Sequence, residues 1–196
     1  MKNIAITGGI ASGKTVASDY LRSLGYTVID ADEMSREMTA PGGKAMPFII
    51  EHFGPDYLDE DGGLNRAAMR DLVFKNPDKL MILEAGTTDV VISDINKIKE
   101  ERAAAGDKIL FYDIPLLFEK NLQDDYDAVW VITSDRNIRK ERLAERDNMD
   151  EKMAELIMDT QEDEDKKIEA ADFVIYNNGS LAELERSVDD ALVHFL

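Results

Sequence analysis

Short, almost unbroken apolar runs alternate along the chain with longer stretches in which apolar residues recur every three or four positions. Ile4-Ala5-Ile6-Thr7, Tyr26-Thr27-Val28-Ile29, Ile109-Leu110-Phe111-Tyr112, Ala128-Val129-Trp130-Val131-Ile132 and Phe173-Val174-Ile175-Tyr176 all lack the polar alternation of a half-solvated strand. Strands buried on both faces have this composition. They occur in parallel sheets sandwiched between helices, and those helices also provide the crossovers. The pattern predicts an α/β, three-layer fold on a five-stranded parallel sheet.

The intervals refine the picture. Apolar residues at 16, 17, 20, 21 and 24 predict a helix from Thr15 to Leu24, stopped by Gly25. The interval from about 31 to 107 is too long for one crossover. Pro41-Gly42-Gly43, Phe53-Gly54-Pro55 and Asp61-Gly62-Gly63 punctuate it with turns, and Asn76-Pro77 opens a helix from Asp78 to about Ala105. We read residues of about 31–106 as a helical insertion into a single domain whose core is 1–30 and 107–196. The acidic run Glu162-Asp163-Glu164-Asp165 reads as a solvated helix face.

Between the first strand and the first helix, Gly8-Gly9-Ile10-Ala11-Ser12-Gly13-Lys14-Thr15 matches G-x-x-x-x-G-K-[ST] at every fixed position. Glycines let the backbone curl until successive N–H groups point at phosphate oxygens, and the helix start adds its positive dipole end. Lys14 would reach the β- and γ-phosphates and Thr15 would place its hydroxyl on Mg²⁺. A chance glycine-rich turn is the bland alternative, but the strand before and the helix after are the setting in which the physics works. The chain is expected to bind a nucleoside triphosphate.

Charge limits the partners. The 41 acidic side chains outnumber the 23 basic ones, for a net charge of −18. A surface that tracks nucleic-acid phosphates needs the opposite excess. A small anionic ligand is compatible if its charge is met locally. No cysteine is present and His52 and His194 lie far apart, so thiolate and multi-histidine metal centres are excluded. No stretch approaches the ~20 apolar residues of a membrane helix, and the N-terminus lacks a signal-peptide core. The expected protein is cytoplasmic, a monomer or weak homo-oligomer, with a small-molecule substrate and no nucleic-acid or membrane partner.

Two classes of function remain open at this point: a phosphotransferase acting on a small molecule, and a nucleotide-driven switch or ATPase acting on a protein. The Asn-Lys-x-Asp element that reads guanine is absent. A kinase must align a hydroxyl with the γ-phosphate, deprotonate it and shield the charge that develops. Asp32, in Asp30-Ala31-Asp32 after the second strand, is the candidate base, although Asp30-Ala31-Asp32-Glu33 also reads as a capping box. Arg139, Arg142 and Arg146, spaced three then four, would form a cationic stripe on a lid of about residues 136–165, or alternatively an ordinary exposed helix laced by Glu141 and Glu145. Asp113, ending the third strand, is the candidate acid that orients Mg²⁺ through water; the apolar residues after it, Ile114 to Phe118, read equally well as core.

Taken together, the phosphate loop, Val28-Ile29-Asp30-Ala31-Asp32 with Arg36, Asp113-Ile114-Pro115-Leu116-Leu117-Phe118-Glu119, Arg142-Leu143 with Arg146-Asp147, and Ala171-Asp172-Phe173-Val174-Ile175 with Asn177-Asn178-Gly179 resemble the dephospho-CoA kinase family, in order and over nearly the whole chain. The resemblance implies ATP-dependent phosphorylation of the ribose 3′-hydroxyl of dephospho-CoA. It implies that Gly9 and Ala11, Ser12, Gly13, Lys14, Thr15 and Val16 hold ATP, with Asp32 as base, Arg142 in the lid and Asn178 and Gly179 near the adenine. The insertion becomes the acceptor-binding subdomain, with Arg36, Arg66, Phe74 and Leu116 as acceptor contacts. The chain departs from the family pattern at Thr88-Asp89, where His-Pro is usual, at Arg139, where Gln is common, and at Tyr176, where Asp is common.

Overall fold

A computed structural model describes residues 1–147, 149–161 and 163–195, with the Asp89 side chain left out. The chain divides into two compact units, residues 1–29 with 106–196, and residues 30–105.

The first unit is built on strands β1 (Lys2–Thr7), β2 (Val28–Asp30), β3 (Ile109–Asp113), β4 (Ala128–Thr133) and β5 (Phe173–Tyr176). They form one all-parallel sheet in the order β2-β3-β1-β4-β5. Ile4, Ile6, Phe111, Trp130 and Ile132 point to one face and are fully or almost fully buried with Leu21, Leu184 and Val188 from the helices α1 (Lys14–Ser23) and α9 (Leu181–Val193). Their sequence neighbours Ala5, Leu110, Val129 and Val131 point the other way and are equally buried. Both faces are therefore covered, which is why these runs carry no polar alternation; each buried Val, Leu, Ile or Phe among them contributes about 1.5–3 kcal/mol. The expected α/β fold with a five-stranded parallel sheet is present. Further helices of this unit are α6 (Arg136–Asp147), α7 (Glu151–Asp159) and α8 (Glu164–Glu169).

One sequence expectation shifts by a small amount. The second strand starts at Val28 rather than Tyr26, because the Tyr26 N–H donates to Leu21 O (3.1 Å) and so still belongs to the turn closing α1. In that turn Gly25 takes φ 90°, the left-handed stop expected of it.

The second unit comprises α2 (Ala31–Met38), α3 (Met46–Phe53), α4 (Arg66–Lys75) and α5 (Pro77–Ala105). It has its own core of Met38, Ala45, Met46, Ile49, Leu64 and Met69, with Leu83, Val90 and Val91 of α5 packed against it. The turns between α2, α3 and α4 fall on the expected glycine clusters.

Candidate active site

The loop from Gly8 to Gly13 joins β1 to α1 at the carboxyl edge of the sheet. Ser12 N–H donates to Gly9 O (3.1 Å), and Ala11 and Gly13 take positive φ values of 59° and 99°. Such left-handed steps turn successive amides toward one concavity, a nest for anions. Gly13 is obligatory twice over, since a Cβ there would also lie 2.0 Å from Asn177 Nδ2. That amide donates to Ser12 O (2.9 Å) and fastens the loop to the end of β5.

Arg142 on α6 braces the same loop. Its Nη1 donates to Ala11 O (3.2 Å) and Ser134 Oγ (2.8 Å), and its Nη2 to Asn177 O (2.9 Å). One guanidinium thus ties together the loop, the end of β4 and the end of β5. Lys14 is fixed at the floor by an ion pair with the buried carboxylate of Asp113, whose other oxygen accepts from Ser18 Oγ (2.7 Å). The loop, Arg142, Asn177 and Gly179 line one cavity of about 770 Å³, to which Val16, Leu181 and Leu184 give an apolar side. A ligand with a flat apolar end and a polyanionic tail matches this division.

Several expected residues behave differently. The cationic stripe does not exist as one surface: Arg139 is buried in an ion pair with Glu164 (2.7 Å), Arg142 is spent on loop carbonyls, and only Arg146 is exposed, paired with Asp147 (2.6 Å). The Arg146 guanidinium holds the Asp147 carboxyl below its usual range. Glu164 is correspondingly no solvated residue, because a buried guanidinium demands a carboxylate; Glu162 of the same run lies outside the described residues. Asn178 is not among the residues lining the cavity. Its amide exchanges hydrogen bonds with Asp135 (2.8 and 2.9 Å), and Asn177 takes the inward position. Strand alternation gives the signal for this, since Tyr176 faces out. Leu116 is half exposed beside Pro115 of the cavity wall. Thr15 lies on the exposed first turn of α1 and also lines the cavity.

Glu183 illustrates how the far wall is held. Its carboxylate accepts from Ser180 N–H (2.7 Å) and Ser180 Oγ–H (2.9 Å), completing a capping box for α9. These bonds keep the carboxyl below its ordinary value of 4.5. Gly179 lies against it: a Cβ there would come within 2.1 Å of Glu183 Oε2.

The second unit carries the other expected residues. Asp30 is the N-cap of α2 and accepts from Glu33 N–H (2.9 Å), so the capping task falls on Asp30 and Asp32 is left exposed in the first turn. Arg36, one turn later, is also exposed. Arg36 and Arg66 line a smaller cavity of about 240 Å³, where Arg66 Nη2 donates to Thr39 Oγ1 (2.6 Å). Phe74, near the end of α4, is 80% exposed. Among the described residues, no group of three or more His, Cys, Asp or Glu side chains is placed to hold a metal ion, and no helix is long and apolar enough to cross a membrane.

Sequence reasoning missed Ser134, Gln161, Glu164 and Lys167. The last is fully buried and paired with Glu119 (2.8 Å). Each acts through a partner dozens of residues away, and spacing alone gives no sign of it.

Comparison with known proteins converges on one family. The family model for dephospho-CoA kinase matches residues 2–183. A dephospho-CoA kinase from Staphylococcus aureus is 39% identical over 191 residues, covering 97% of this chain and 92% of that one. Among solved structures, TT1252 from Thermus thermophilus superposes with a TM-score of 0.78 at 29% identity, covering 100% of this chain and 98% of that one. A dephospho-CoA kinase from Campylobacter jejuni shares the fold, with a TM-score of 0.69 at 24% identity and coverage of 98% and 96%. The chain belongs to the dephospho-CoA kinase family.

Proposed function

We propose that this protein transfers the γ-phosphoryl group of ATP to the ribose 3′-hydroxyl of dephospho-CoA, releasing coenzyme A and ADP. The observation that carries the reading is the phosphate loop, braced by Arg142 and Asn177, in a chain whose family match runs from residue 2 to residue 183.

The loop amides of Ala11, Ser12, Gly13 and Lys14 receive the β-phosphate, and the nucleotide base lies toward Leu181 and Gly179. Lys14, aimed by Asp113 and Ser18, meets charge that builds on the β–γ bridging oxygen as its bond to phosphorus breaks. Arg142 holds the loop in register and belongs to a lid of about residues 136–165. Asp32 accepts the proton of the attacking hydroxyl, and its exposure and release from capping duty suit a group that must meet a substrate. The unit of residues 30–105 is the acceptor-binding subdomain, in which Arg36 and Arg66 meet the acceptor's anionic groups and Phe74 its apolar parts; Leu116, outside that unit, is a further apolar contact for the acceptor.

The donor set fits Mg²⁺. This ion binds through few protein ligands, keeping waters and phosphate oxygens around it, and the hydroxyl of Thr15, which lines the cavity, would be such a ligand. Asp113, with both oxygens engaged by Lys14 and Ser18, would act on its water shell. When bound, the ion neutralises phosphate charge. We place the enzyme in the cytoplasm as a monomer or weak homo-oligomer.

Phosphorus NMR of the product tests the reading. A new phosphomonoester on the ribose 3′-oxygen, formed only with ATP and dephospho-CoA together, is expected. Consumption of ATP with no phosphorylated acceptor would overturn it.

A further inference from the structure

The proposed lid leaves the core just after β4 and returns to it at α8, and its two ends are joined to each other. Arg139, one turn into α6, donates from Nη1 to Glu164 Oε2 (2.7 Å) at the start of α8. Glu164 Oε1 accepts from Thr133 Oγ1 (2.6 Å), the last residue of β4. The pair also presses on the phosphate loop. A Cβ on Gly9 would lie 2.2 Å from Arg139 Nη1 and 2.8 Å from Glu164 Oε2, so the absence of a side chain at Gly9 is what lets the ion pair pass over the loop. One residue on, the Ile10 N–H donates to Gln161 Oε1 (2.8 Å) from the segment leading into α8. Four separate stretches of chain therefore meet around a single pair whose cation is buried.

An ion pair of this kind resists opening, because parting it strands the buried Arg139 guanidinium away from water. The surface pair Arg136–Asp159, between α6 and α7, carries no such penalty and can exchange with solvent. We propose that Arg139 and Glu164 are positioning residues for phosphoryl transfer: they clasp the two ends of the lid together and hold the Gly9–Ile10 edge of the phosphate loop in register. Whatever motion the lid makes is confined to the chain between Arg142, itself fastened to the loop, and Glu164. The loop amides beyond Gly9 keep their aim because the clasp does not move with it.

The inference rests on the phosphotransferase reading, and one set of kinetics separates the two. Absence of ATP- and dephospho-CoA-dependent turnover in the unsubstituted enzyme would sink that reading before any variant is compared. Given turnover, Arg139→Met and Glu164→Gln should each lower kcat at least tenfold with KM for dephospho-CoA unchanged. The double variant should lose no more than the worse single, since the pair acts as one unit. It leaves no buried charge unpaired, so it remains measurable if a single variant fails to fold. Gly9→Ala, whose methyl group must push Arg139 aside, should reproduce the kcat loss of Arg139→Met and add nothing when combined with it. A double variant with unaltered kcat well below a lowered Tm would show the pair to be structural only and overturn the proposal. So would losses that multiply between positions 139 and 164, or between 9 and 139.

Discussion

The two compact units hold their functional side chains in opposite ways. In the unit of residues 1–29 and 106–196, the cations are already spent: Lys14 on Asp113, Arg142 on loop carbonyls and Ser134, Arg139 on Glu164. In the unit of residues 30–105, Asp32, Arg36 and Phe74 stand exposed on helix surfaces, and Arg66, also exposed, is tied to the Thr39 hydroxyl and the Ser35 carbonyl. The difference teaches where preorganisation is placed. A triphosphate tail presents the same charges in every reaction cycle, and fixed donors bind it without reorganising. Exposed side chains suit an acceptor that is met on arrival.

The sharpest way to break this contrast is Asp32→Asn. Losing the base should lower kcat by about 10²–10⁴-fold while ATP affinity stays unchanged, and an active variant would reduce Asp32 to a helix surface residue. Second comes Lys14→Ala, for which we expect about 10²–10³-fold lower turnover together with weaker ATP binding by calorimetry. Unaltered ATP affinity would contradict the assignment of the loop floor. Arg66→Gln should then act on the acceptor alone, raising KM for dephospho-CoA about tenfold or more, as loss of a charge-assisted contact to an anion does, with KM for ATP unmoved.

Two smaller effects concern stability. Gly86 lies within α5, where a Cβ would fall 2.0 Å from the Phe48 ring. Gly86→Ala should therefore destabilise the helical unit by about 1–3 kcal/mol in denaturant unfolding, despite the better helix propensity of alanine. The Glu183 carboxylate, held below 4.5 by Ser180, adds stability that is fully present above its unfolded value and fades as pH falls through its lower folded value. Glu183→Gln should flatten the acid limb of the stability curve below about pH 4.5; an unchanged limb would show the capping box to be silent.

How much of this was legible in the sequence follows from the range over which each feature is determined. The strands were readable because both faces are buried, so every residue of a run carries the signal. The phosphate loop was readable because eight consecutive residues contain all its chemistry. Val16 fits both the apolar periodicity of α1 and, from the family resemblance, an ATP contact; it is 43% exposed and lines the cavity, so periodicity alone would have sent it to the core. Asn177 and Asn178 differ by one register step, and alternation from the exposed Tyr176 settles which turns inward. Glu164 and Lys167 were illegible for a different reason. Their partners Arg139 and Glu119 lie 25 and 48 residues away, and only the folded chain brings a buried cation to a carboxylate.

Release of ADP, followed in a coupled assay with dephospho-CoA, AMP, CMP and shikimate as alternative acceptors, tests the central claim most directly. We expect ATP turnover to rise sharply with dephospho-CoA alone, with one coenzyme A formed per ADP. Turnover indifferent to dephospho-CoA, or driven by another acceptor of the panel, would contradict it.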